Sequence, residues 1–123
     1  MDIEQFREFC LSFDQASEGM PFKGFFRNSK FILVFYVRKK MFCLFDIESF
    51  DRITIRCNSE KIEELKEKYV AVDKPFNLSH KFWISVRFNA DMSDKKIKSM
   101  VRTSYDLAVK SLSKKDQQYF NLP

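Results

Sequence analysis

The sequence predicts an α+β fold in which a twisted antiparallel sheet is covered on one face by helices. Apolar residues recur at helical spacing near both ends of the chain, whereas the middle holds aromatic and β-branched runs and two segments with strict two-residue alternation. The resulting order, helix, strands, helix, strand, helix, is typical of such a sandwich. With 123 residues, 45% of them hydrophobic, the chain is expected to form one domain spanning 1–123.

Three main helices are predicted. The first begins near Asp2, whose carboxylate complements the helix dipole, and ends before a loop at 14–21. Its apolar positions are Ile3, Phe6, Cys10 and Phe13. Asn58 or Ser59 can cap the second helix. The third starts at Asp91 or Ser93, and 114–115 either ends it or begins a short terminal helix.

The strands are predicted between these helices. Segments 31–38 and 41–46 should pair through a tight basic hairpin, with a further strand at 22–27 and a turn at 28–29. Segment 47–51 should be a connection. Segments 52–57 and 82–88 alternate, and 70–79 lacks either periodicity and is therefore expected to be a long loop.

The alternation at 82–88 indicates a functional surface. It assigns Phe82, Ile84, Val86 and Phe88 to the core, and Lys81, Trp83, Ser85 and Arg87 to the opposite face. If 52–57 is the neighbouring strand, Arg52, Thr54 and Arg56 join that face. Cations can neutralise phosphates while an aromatic plane stacks on an unpaired base. Alternatively, loop 70–80 covers Trp83 in a second small core, and the arginines lie on a solvated face with acids such as Asp46 or Glu48.

The hairpin is a second candidate contact. Arg38, Lys39 and Lys40 at its tip can straddle a nucleic-acid groove as a wing, with their charges on phosphates. The alternative is that lysines at a hairpin tip only keep the protein soluble and unpaired.

Composition limits the other function classes. Lys and Arg number 22 against 17 Asp and Glu, a formal net charge of +5 that favours anionic partners. Three cysteines without a CxxC pair and a single histidine, His80, predict reduced core thiols and no metal site. No nucleophile motif or glycine-rich phosphate loop accompanies His80, so neither enzymatic activity nor a cofactor is expected. The N-terminus lacks signal-peptide features and the longest apolar run, 31–37, is too short to span a membrane, which predicts a cytoplasmic protein.

The chain resembles the MmcQ/YjbR family of small bacterial proteins along nearly its whole length. The resemblance rests on NLSHKFWISV at 77–86, KMF at 40–42 and SYDLAV at 104–109. It implies a CyaY-like, double-wing fold and a DNA-binding role, with His80, Lys81, Trp83 and Tyr105 as motif positions and Lys40 at the hairpin. Relatives tend to place glycine before that lysine, whereas this chain has Arg38-Lys39.

The leading hypothesis is therefore a non-enzymatic, cytoplasmic DNA-binding protein, with a monomer as the favoured state. An alternative is a protein or peptide interaction module that uses the same surface. The candidate contacts lie on the hairpin, the loop at 74–81 and the sheet face. They are Arg38, Lys39, Lys40, Arg52, Arg56, Lys74, Asn77, His80, Lys81, Trp83 and Arg87.

Overall fold

The computed structural model describes residues 1–22, 31–75 and 78–120, and within them six antiparallel strands form one sheet. The strands are β1 (Ala16–Gly19), β2 (Ile32–Val37), β3 (Lys40–Asp46), β4 (Arg52–Arg56), β5 (Val72–Asp73) and β6 (Trp83–Arg87). Their order across the sheet is β1-β2-β3-β4-β6-β5. The predicted hairpin is confirmed. Segments 52–57 and 82–88 contain the neighbouring strands β4 and β6, which meets the condition under which their outward residues would share one face.

The helices are α1 (Ile3–Leu11), α2 (Ile62–Lys68), α3 (Asp94–Lys110) and α4 (Lys114–Gln117). Asp2 caps α1 by accepting a hydrogen bond from Gln5 N at 2.8 Å, and Ser93 caps α3 by accepting from Lys96 N at 3.1 Å. Asn58 caps a 3₁₀ turn at Ser59–Lys61 that leads into α2. These are the start signals that the sequence predicted.

Two hydrophobic clusters lie on opposite faces of the sheet. The larger one fills the space between the sheet and the helices, where Phe6 packs edge-on against Phe45 and Phe88. The smaller one, on the other face, is built on the buried side chains of Ile32, Val34 and Leu44. The predicted α+β sheet with helices on one face is confirmed.

Two predicted loops contain strands. β1 lies in the segment predicted as a loop at 14–21, and β5 lies in the loop predicted at 70–79. Each is a short edge strand that is held in the sheet by backbone pairing to one neighbour. Such a strand does not need alternating apolar side chains, and neither segment has them. The strand predicted at 22–27 and the turn at 28–29 lie outside the described residues, except for Phe22.

The prediction that Phe82 lies in the core is wrong. β6 begins at Trp83, and Phe82 belongs to a turn in which Ser79 O accepts hydrogen bonds from Phe82 N at 3.3 Å and Trp83 N at 3.1 Å. The Phe82 side chain is 43% exposed. The alternation therefore starts one residue later than the sequence pattern, while Ile84 and Val86 are fully buried as predicted.

Candidate nucleic-acid interface

The centre of the sheet face opposite the helices is closed rather than basic. Register places Val34, Leu44, Thr54 and Ser85 in one row across β2, β3, β4 and β6. Thr54 and Ser85 are buried, and their hydroxyls are hydrogen-bonded to each other at 2.9 Å. Both side chains were predicted to lie on an open face. They are instead buried, and each hydroxyl has the other as its hydrogen-bond partner.

The two arginines at one edge of this row are held by internal contacts. Arg52 is ion-paired with Asp51 at 3.3 Å and with Asp73 at 3.8 Å. The alternative of arginines paired with acids therefore holds for Arg52, although its partners are not the Asp46 or Glu48 given as examples. Arg87 donates through Nη2 to the carbonyl oxygen of Val70 at 2.7 Å. Both guanidinium groups thus hold β5 and its connections in place. Arg52 is paired with carboxylates, whereas Arg87 keeps its charge but has Nη2 engaged by a backbone carbonyl.

Arg56 does not extend over the face away from the helices. Its Nη1 donates to Ser111 Oγ at 3.1 Å, at the C-terminal end of α3. β3 and β4 pair only as far as Cys43 and Ile55, so Arg56 lies where the strands have separated and its long side chain can reach the helix end. Its place in the predicted basic face is therefore wrong.

Arg38 occupies the first position of the two-residue hairpin turn and has a positive φ of 58°. Its guanidinium lies 3.6 Å from Asp116 Oδ1 and 4.2 Å from the centroid of the Tyr119 ring. A φ of this sign is one that glycine adopts without steric cost, so an arginine here is under backbone strain. In this chain, the arginine ties the hairpin to the C-terminal segment instead.

Trp83 is partly buried in the smaller cluster, where Leu78 from the preceding loop also packs. This is the second small core that was predicted as the alternative to an exposed tryptophan. Its ring therefore contributes packing to the face opposite the helices and is only partly accessible to a ligand.

The remaining candidate cations gather at one end of the sheet. Neighbouring strands are antiparallel, so the tip of the β2–β3 hairpin, the last residue of β4 and the first residue of β6 all lie at the same end. Lys39 and Lys40 occupy the hairpin tip, while His80 and Lys81 lie in the turn before β6. All four are exposed, and none takes part in an ion pair within the described residues.

An exposed aromatic lies in the same place. The Lys81 ammonium is 5.4 Å from the centroid of the Phe82 ring, and Ser79 Oγ accepts from Lys81 N at 3.2 Å, which fixes the turn. We call the group Lys39, Lys40, His80, Lys81 and Phe82 the basic end of the sheet. β4 lies between β3 and β6, so the hairpin tip and the turn before β6 are separated by at least two strand spacings, roughly 10 Å, which is on the scale of the major groove of DNA, about 12 Å wide.

Two predicted contacts lie outside this group. Lys74 is exposed directly after β5, where the chain runs towards the same end of the sheet, and its backbone nitrogen is bound by Asp73 Oδ1 at 2.8 Å. Asn77 lies outside the described residues.

Sequence reasoning missed two contributions to the basic end. Phe82 was assigned to the core because the alternation continued through it. Lys114 and Lys115 were predicted only to end the third helix or to begin a short terminal one, and Lys110 was not among the predicted contacts. The contacts Arg56–Ser111 and Arg38–Asp116 nevertheless bring the end of α3 and the whole of α4 to the same end of the sheet. The signal that would have found them is the basic character of both helix termini.

Within residues 1–22, 31–75 and 78–120, no group of three or more His, Cys, Asp or Glu side chains is arranged to hold a metal ion. Of the helices described, none has the length and apolar character required to cross a membrane. The three cysteines are free thiols, and Cys10 and Cys43 are fully buried.

Comparison with known proteins places these features in a family context. The family model described as YjbR matches residues 11–107. The Deinococcus radiodurans protein DR2400, which carries a DUF419 domain, has a similar structure with a TM-score of 0.82 and 24% sequence identity, over 98% of this chain and 88% of that one. Among curated proteins, none matches the chain significantly.

A second solved structure has the same fold. A protein from Pseudomonas syringae superposes with a TM-score of 0.70 at 19% identity, and the match covers 88% of this chain and 99% of that chain. These two structures show only that the fold is shared, whereas the family model shows a relationship in sequence.

Proposed function

This chain belongs to the YjbR family, and we propose that it is a non-enzymatic DNA-binding protein whose contact surface is the basic end of the sheet. The family is of the unknown-function type and indicates no enzymatic class. One observation carries the proposal: an exposed phenylalanine and four exposed basic side chains project from a hairpin and a turn at the same end of one sheet.

The chemistry of this group suits a nucleic acid. Lys39, Lys40 and Lys81 provide point charges for phosphates, and release of counterions from the DNA would supply most of the affinity. Phe82 offers a ring on which an unpaired base can stack, a contact that tolerates any base sequence. The arginines of the closed sheet face have a different role, since they stabilise the scaffold that carries these groups.

The positions are held by rigid elements. The two-residue turn between β2 and β3 fixes Lys39 and Lys40 relative to the sheet, and the hydrogen bonds to Ser79 fix Lys81 and Phe82. Both turns are connected through β4, which pairs with β3 and β6. A contact surface on such elements loses little conformational entropy when it binds.

Fluorescence anisotropy with labelled single-stranded and double-stranded oligonucleotides at low salt tests the proposal. We expect Phe82→Ala to weaken binding to the single strand by roughly 1–3 kcal/mol per stacked base, and Phe82→Tyr to retain it because the ring is kept. The duplex, whose bases are already stacked, should be less sensitive to Phe82→Ala. Absence of binding to both oligonucleotides would refute the proposal and would favour the protein-interaction alternative, which a pull-down after nuclease treatment can examine.

A further inference from the structure

A groove of about 290 Å³ lies between α2, α3 and the end of β4, away from the sheet face opposite the helices. Four apolar residues line it: Ile55, Leu65, Met100 and Leu107. Ile55 is buried, while the other three are partly exposed. Met100 and Leu107 lie two turns apart on one face of α3, where both line the groove and Met100 also packs against the main core.

The same groove is positively charged. Arg56, Lys61 and Lys96 line it, and no Asp or Glu is among the lining residues. Within the described residues, none of these three cations takes part in an ion pair, and the Arg56 guanidinium uses Nη1 on Ser111 Oγ, an uncharged partner. An apolar lining with unpaired cations beside it is complementary to a ligand that combines a hydrocarbon body with an anionic group.

We propose that this groove binds a small amphipathic carboxylate, with its hydrocarbon chain against the four apolar side chains and its carboxylate among Arg56, Lys61 and Lys96. The volume limits the size of the ligand. At about 290 Å³ the groove lies near the lower end of ordinary small-molecule sites, about 300 Å³, and octanoate, with one carboxylate and a short hydrocarbon chain, serves as the probe. The groove shares no residue with the basic end of the sheet proposed to bind DNA, although the two adjoin where Cys57 N donates to Phe82 O at 2.7 Å.

Cys57 provides a built-in reporter for occupancy. Its side chain lines the groove and is partly exposed, whereas Cys10 and Cys43 are fully buried. An alkylating reagent should therefore modify Cys57 well before the other two thiols. A ligand seated in the groove would shield the Cys57 sulfur and slow its alkylation.

The experiment measures the rate of Cys57 alkylation by iodoacetamide, with mass-spectrometric identification of the modified residue, in the presence of octanoate. We expect saturable protection of at least fivefold at the highest octanoate concentrations. 1-Octanol, which has the same chain without the charge, should protect at roughly tenfold higher concentration, and acetate, which has the charge without the chain, should not protect.

Two variants separate binding in the groove from binding elsewhere. Lys61→Ala/Lys96→Ala should raise the octanoate concentration for half-protection by about five- to tenfold, since two ion pairs are lost. Lys68→Ala/Lys98→Ala is the control, because it removes the same two charges at residues of α2 and α3 that do not line the groove and lie instead over the Tyr69 and Phe9 rings. The proposal is overturned if octanoate does not protect Cys57, if octanol protects equally well, or if the double variant behaves like the control.

Discussion

The hydroxyl of Ser104 lies 2.8 Å from the backbone nitrogen of Arg56 and accepts its hydrogen bond. The same Oγ donates to the carbonyl oxygen of Phe42, so one fully buried side chain from α3 links β3 to β4 where their direct pairing has ended. This relationship gives the serine in the SYDLAV motif a physical role: it closes a gap in the sheet that the helix covers.

Replacement of Ser104 should be costly. Ser104→Ala leaves a backbone N–H and a backbone C=O without partners at a buried position, and we expect the free energy of unfolding to fall by about 2–3 kcal/mol. Ser99→Ala, on the exposed side of the same helix, should change it by less than about 0.5 kcal/mol. Urea denaturation measures both, and equal small effects would contradict the bridging role.

Two separate variants of Arg38, one with alanine and one with glycine, should differ in stability because the hairpin turn requires a positive φ at this position. Arg38→Ala and Arg38→Gly both remove the contacts with Asp116 and Tyr119, but only glycine adopts a φ of 58° without steric cost. We therefore expect the glycine variant to be more stable than the alanine variant by roughly 1 kcal/mol. Chemical denaturation of the pair measures this difference, and an alanine variant that is the more stable would argue against a strained turn.

Tyr105 should make stability depend on pH in the alkaline range. Burial, together with the charges of Asp14 and Asp106, raises the pKa of Tyr105 to about 12, and its hydroxyl donates to the carbonyl oxygen of Asp14. The unfolded chain loses this proton near pH 10, whereas the folded protein retains it. The stabilisation, roughly 1–3 kcal/mol, is therefore complete below pH 10 and is lost as the pH rises towards 12.

Comparison with a variant isolates this contribution from that of other groups. Tyr105→Phe should be less stable than the parent protein at pH 8, because it lacks the hydrogen bond, yet the gap should narrow between pH 10 and 11.5. Thermal or urea unfolding across this range measures the gap. A gap that stays constant would mean that Tyr105 does not titrate differently in the two states.

Arg87 and Lys81 should separate stability from binding. Arg87→Gln loses the charged hydrogen bond to Val70 O and should lower the free energy of unfolding by roughly 1 kcal/mol, while its affinity for DNA should be nearly unchanged. Lys81→Ala should have the opposite profile, because its ammonium contacts only the Phe82 ring within the described residues. Denaturation and anisotropy on the same two variants test this division.

Periodicity was sufficient to predict the elements with large apolar faces. Apolar spacing alone predicts two of the helices and four of the strands: α1, α3, β2, β3, β4 and β6. The cap residues Asp2 and Ser93 mark where α1 and α3 begin. β1 and β5 were missed because edge pairing, rather than side-chain pattern, makes them strands. Such pairing depends on neighbours that are distant in sequence.

The candidate site was harder to predict for two physical reasons. A strand's parity says which face a side chain takes, but it does not say whether that face is covered or where the strand starts. Phe82 is therefore exposed where the core was expected, and only the structure shows that Trp83 takes the second of its two predicted environments, the small core. Cationic residues also look alike in a sequence. Only the tertiary contacts show that Arg52 and Arg87 are engaged within the protein whereas Lys39 and Lys81 project from its end.

The salt dependence of DNA binding tests the central claim most directly. We predict that Lys39→Ala/Lys40→Ala/Lys81→Ala will lower the slope of log K against log salt concentration by about two to three, one phosphate contact for each lysine. A matched variant, Lys66→Ala/Lys68→Ala/Lys95→Ala, removes the same charge from α2 and the start of α3 and should leave the slope nearly unchanged. Equal slopes for the two variants, or a parent protein without salt-dependent binding, would contradict a DNA interface at the basic end of the sheet.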